Sequence, residues 1–226
     1  MLAVLSYEEI INILTQRLQY GYYQVGKPSS VRMTGILFSL PTSALGREEI
    51  VPNLDYFSVR SGKHVDFFCA GYGASYPEDP DFRSQIAVNE LGWRFSPVRF
   101  DSIRREVESR CDWKYSGGSD LILTNARLAA PQGPASLAFD TVVKCYLDHF
   151  KRIQAIPSVM EFFEQIFRFA ETAQCDDPTW GFSDSAGFSR VKQSLLNVVL
   201  SLFPKNVGDE LRRVAAFSAS RGEQQG

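Results

Sequence analysis

The sequence predicts an α/β protein: a small three-layer domain with a short, mostly parallel sheet, followed by a C-terminal helical domain. Three observations carry this prediction. Residues 64–70 are short, rich in aromatic and branched side chains, and bounded by Gly62 on one side and Gly71 and Gly73 on the other. That length and spacing suit a strand and satisfy no helical repeat. Candidate strands at 33–40, 64–70 and 120–123 alternate with helical patterns at 52–61 and 96–111, the order of parallel crossover units. The composition then changes at the small-residue linker 129–134, beyond which the apolar spacing is helical almost to the end. The predicted division is an N-terminal helix and linker over 1–30, the α/β domain over 31–130, the helical domain over 135–218 and a disordered tail over 219–226.

Taken in order, Ser6 and Glu9 form a capping box, and Ile10, Ile11, Leu14 and Leu18 give the following helix an inner face. Residues 20–30 read as a linker with tyrosine anchors. Residues 33–40 form the first strand candidate, closed by Pro41. Residues 54–60 fit either a helix, with Pro52 in its first turn and Gly62 as its stop, or a strand entering a hairpin. The helix is preferred because it supplies the crossover; Leu54, Phe57 and Val59 would then face inward. In the strand at 64–70, apolar residues fall on both faces, as in a sheet covered on both sides. Residues 74–89 read as a polar surface loop, and residues 93–95 as a possible extra edge strand. Ser96 and Pro97 then open a helix with Phe100, Ile103 and Val107 on its inner side.

Past residue 120 the expected strand is short, with Asn125 and Arg127 just beyond its end. In the C-terminal half, Phe139, Val142, Val143, Tyr146, Leu147, Phe150 and Ile153 make one broad apolar helical face. Pro157 and Ser158 restart a helix carrying Phe162, Phe163, Ile166, Phe167 and Ala170. Two further helices are expected over 189–203 and 207–217.

The chain has 226 residues, long enough for a substantial core. Its formal net charge of −2 argues against a general nucleic-acid or anionic-membrane binder. Four cysteines with no CxxC spacing read as buried thiols in a reducing compartment, and only two histidines leave the usual zinc sets unfilled. No metal and no cofactor is expected. The N-terminus lacks a basic segment leading into an apolar run, so a cytoplasmic protein without a membrane anchor is expected.

The P-loop, the dinucleotide-binding glycine pattern, the nucleophile elbow, the HExxH helix and the EF-hand loop are absent from the sequence. His64 and Asp66 would share a strand face, as a base and its orienter or simply as a strand-mouth histidine and a carboxylate held by an arginine. Glu78, Asp79 and Asp81 could hold Mg²⁺ past the strand end; two prolines and the lack of a nearby Lys or Thr favour a solvated loop. The 114–119 loop could nest an anion or simply connect a helix to a strand.

Residues 65–70 (Val-Asp-Phe-Phe-Cys-Ala) resemble the strand before the redox motif of the thioredoxin family, in which a Trp-Cys-Gly-Pro-Cys turn follows. Here Gly71, Tyr72 and Gly73 follow, and Cys69 precedes the turn without a partner. The resemblance covers one strand. It implies an α/β sandwich, and the missing cysteine pair argues against thiol–disulfide chemistry.

Two functions follow as expectations, leaving enzymatic activity open. The first is a non-catalytic interaction or regulatory subunit of a larger cytoplasmic assembly, with a protein partner or homo-oligomerisation; missing catalytic signatures and 17 phenylalanines support it. The alternative is a small α/β enzyme or nucleotide-binding sensor, including an effector of a multi-gene defence system. Its site would lie at the carboxyl ends of the strands and use Tyr72, Asp79, Asp81, Asn125 and Arg127.

Overall fold

The computed structural model describes residues 2–4, 6–20, 31–62, 64–73, 82–90, 92–130, 132–172, 178–183 and 217–221. Its centre is a six-stranded mixed sheet built from β1 (Leu2–Val4), β2 (Val31–Phe38), β3 (Val65–Ala70), β7 (Asp120–Leu128), β8 (Ala135–Tyr146) and β9 (Phe217–Arg221). The strand order is β1-β3-β2-β7-β8-β9. β1, β3 and β2 run parallel; β7, β8 and β9 continue the sheet antiparallel. A small second sheet joins β4 (Tyr72–Gly73), β5 (Ile86–Ala87) and β6 (Arg94–Phe95) in the order β4-β6-β5.

The predicted strand at 64–70 is β3, buried at every position. Val65, Phe67 and Cys69 point to one face, and Asp66, Phe68 and Ala70 to the other. Helix α1 (Tyr7–Tyr20) and α3 (Pro97–Arg110) cover the Asp66 face: Arg17 reaches Asp66, and Phe100 packs edge-on to Phe38 at 5.9 Å. Helix α2 (Leu54–Arg60) and α5 (Val159–Thr172) cover the Phe67 face, where Phe163 meets Phe57 at 4.9 Å and Phe67 at 5.0 Å. Two short helices, α4 (Leu147–Arg152) and α6 (Pro178–Ser183), complete that layer.

Several ends form as the sequence dictates. Ser6 Oγ accepts from the Glu9 N–H, Ser96 Oγ from the Arg99 N–H, and Ser158 Oγ from the Glu161 N–H. Residues 54–60 are helical, and Gly62 follows at φ +106, a conformation that side chains beyond glycine resist.

Three expectations are corrected. The sheet is not mostly parallel. Helix α3 starts beside Gly71, where Ser96 N–H donates to the Gly71 carbonyl, and is followed by Trp113, whose ring lies 4.6 Å from Phe38 at the end of β2. The chain therefore re-enters the sheet at the end where β2 leaves it, and β7 must run antiparallel to β2. The broad helical face over 139–153 is also revised. Residues 135–146 are the long strand β8, and only Leu147–Arg152 is helical. The register explains the misleading spacing: Leu123 pairs with Val143 but Asn125 with Ala138, so residues 139–142 face Thr124 alone. This bulge breaks the period of two and leaves apolar residues three and four apart. Lastly, Asn125 and Arg127 lie inside β7, which runs to Leu128 rather than ending at Leu123.

Residues 217–221, expected at the junction of a last helix and a tail, pair with β8 as β9. The expected helix over 189–203, most of that over 207–217, and the linker over 21–30 lie outside the described residues. Among the described residues no helix is long and apolar enough to cross a membrane.

Candidate functional site

In an open α/β sheet, ligands gather at the carboxyl ends of parallel strands, where neighbouring strands send their helices to opposite faces. Here that point lies between β2 and β3. The segment after β2 runs through helical turns at Gly46–Ile50 and Val51–Asn53 into α2 on the Phe67 face, whereas β3 leads through the small sheet to α3 on the Asp66 face. Gly71 makes the turn out of β3 at φ +78. A Cβ there would come within 2.7 Å of Phe100 Cβ and 2.9 Å of the Ser96 carbonyl oxygen, so only glycine lets α3 approach this closely.

Tyr72 fills the crevice that this switch creates. It is fully buried, its ring sits 5.0 Å from that of Phe95, and its hydroxyl donates to the Ser39 carbonyl at 3.0 Å. Burial holds its phenol far above the ordinary range, so it acts as a protonated donor. Beside it, the hydroxyls of Ser39 and Ser119 share a hydrogen bond at 2.8 Å, and the Ser119 N–H donates to Asp148.

Asp120, the first residue of β7, closes the same edge. Its Oδ2 accepts from Trp113 Nε1 at 3.2 Å and the Ser116 N–H at 2.8 Å, and its Oδ1 accepts from Ser116 Oγ at 2.5 Å. Burial raises its carboxyl above the ordinary range, and these donors offset part of that. The 114–119 loop therefore turns Ser116 donors onto the protein's own carboxylate. It is a tight connection, and those donors are not aimed at an outside anion.

The opposite end of the sheet holds charge. Asp66, fully buried, accepts from Arg17 and from Arg32, and Arg32 also donates to the Gly62 carbonyl. Burial first, and then the charge of Arg17, lowers the Arg32 guanidinium to about 10. Asp66 is thus the arginine-held carboxylate of the sequence reading.

The predicted site residues do not assemble on one edge. Tyr72 lies at the carboxyl end of β3. Arg127 pairs with Val31 at the start of β2, seven residues from Phe38, so about 23 Å of strand separates the two levels. Asn125 is fully buried and spends its Oδ1 on the Thr179 N–H of α6, at 3.1 Å. Asp79 and Asp81 lie outside the described residues. No group of three or more metal-ligating side chains occurs among the described residues. Burial raises the thiols of Cys69 and Cys145, and Cys111, half-buried, is free as well.

A different surface comes from pairing α2 with α5. Glu164 accepts from the Tyr56 hydroxyl at 2.6 Å and from Arg60 at 2.8 and 3.1 Å, which lowers its carboxyl; the Arg60 hydrogen bonds are the largest cause. Val59, expected to face inward, is 84 % exposed, and Tyr56 and Met160 are 39 % and 40 % exposed. The short helix has turned Leu54 and Phe57 into the core, so Val59 cannot follow them. The signal for this was present in the sequence, because Val59 is two residues from Phe57 and falls off its face.

No protein-family model matches the chain, and no curated protein or solved structure is significantly similar to it.

Proposed function

We propose that the chain is a non-catalytic interaction or regulatory subunit of a larger cytoplasmic assembly. The observation that carries this reading is the occupied crevice. Where this architecture would receive a ligand, Tyr72 stands fully buried on the Ser39 carbonyl. The side chains with catalytic potential nearby, Asp120 and Ser116, spend their hydrogen bonds on each other. The α2–α5 surface, in contrast, offers Tyr56, Val59 and Met160 around the charges of Arg60 and Glu164. Exposed apolar side chains with a polar rim suit a protein partner.

Native mass spectrometry of the chain purified gently from its own host tests this. The expected result is a stoichiometric protein complex that Val59→Asp dissociates while the far-ultraviolet circular dichroism stays unchanged. A monomer retaining a nucleotide or other small molecule overturns the reading.

One observation favours the enzyme-or-sensor alternative. Two serine-capped helix starts, at Ser6 and Ser96, and a turn in which Ser43 Oγ accepts from the Gly46 N–H, follow or adjoin the ends of β1, β3 and β2. Their N–H groups favour negative charge at that edge, so an anionic ligand that displaced Tyr72 would find donors. Under that alternative, nucleotide binding would strengthen in Tyr72→Ala.

A further inference from the structure

We draw no further inference here: the strongest candidate, the exposed face of α2 and α5 around Tyr56, Val59 and Met160, belongs to the surface already described, and nothing in the structure shows what covers it.

Discussion

The two ends of the parallel strands are closed by opposite means. At the carboxyl end Tyr72 and the Ser39–Ser119 hydroxyl pair fill the space with neutral hydrogen bonds and aromatic packing. At the amino end Arg17 and Arg32 converge on Asp66. Neutral closure costs little desolvation, and each hydrogen bond there is worth about 1 kcal/mol. Charged closure is costly to bury, and it leaves the remaining charges stranded if one member is removed. The first end can open without a large electrostatic cost. The second locks α1 to the sheet.

The largest expected effect tests that lock. Asp66→Ala leaves two guanidinium groups facing each other in a buried site, and should lower unfolding stability by about 3–5 kcal/mol. Urea unfolding followed by circular dichroism measures it. A loss below about 1 kcal/mol would mean that the arginines relax into solvent, and the contrast between the two ends would collapse.

Tyr72→Phe probes the neutral end. It keeps the ring against Phe95 and removes the donor to Ser39, so the buried carbonyl loses its partner at a cost of about 1–2 kcal/mol. The same urea titration checks this. A cost equal to that of Asp66→Ala would show that both ends are equally rigid.

In the parallel half, β3 was legible because glycine bounds it on both sides, β2 because a proline follows it, and α1 and α3 because serine caps open them. β1, three residues long, was not predicted. Gly62, Gly71, Ser6 and Ser96 each mark a boundary that local backbone chemistry enforces. The antiparallel half was not, because its decisive features are non-local. The bulge opposite Thr124 gives β8 a helical spacing of apolar residues, and only pairing with β7 reveals the strand. The direction of β7 depends on where Trp113 delivers the chain, which no residue of β7 encodes. Asn125 and Arg127 were placed past a strand end for the same reason, and moved to the wrong end of the sheet once the strand's length and direction were known. The arginine partners of Asp66 come from α1 and β2, 49 and 34 residues away; a carboxylate in an apolar strand announces a need for partners, not their identity.

The smallest expected effect separates charge from hydrogen bonding at the carboxyl end. Asp120 is buried beside Tyr72's serine pair, and burial raises its folded-state affinity for a proton. Between the unfolded carboxyl value and that raised value, the native state binds more protons than the unfolded state, so the Asp120 contribution to stability falls as pH rises. Carboxylates such as Glu164 and Asp101, lowered by arginine partners, contribute the opposite slope. The difference between wild type and Asp120→Asn isolates the Asp120 part. An asparagine oxygen can still accept from Trp113 and the Ser116 N–H while its amide donates to Ser116 Oγ, so stability at acidic pH should change by no more than about 1 kcal/mol. As pH rises from the acid range toward neutrality, wild type should lose stability relative to the variant, as measured by urea midpoints across the series. A difference that stays flat with pH would mean that Asp120 titrates as an ordinary carboxylate. Charge would then be tolerated at both ends of the sheet, and only the Asp66 cluster's arginines would distinguish them.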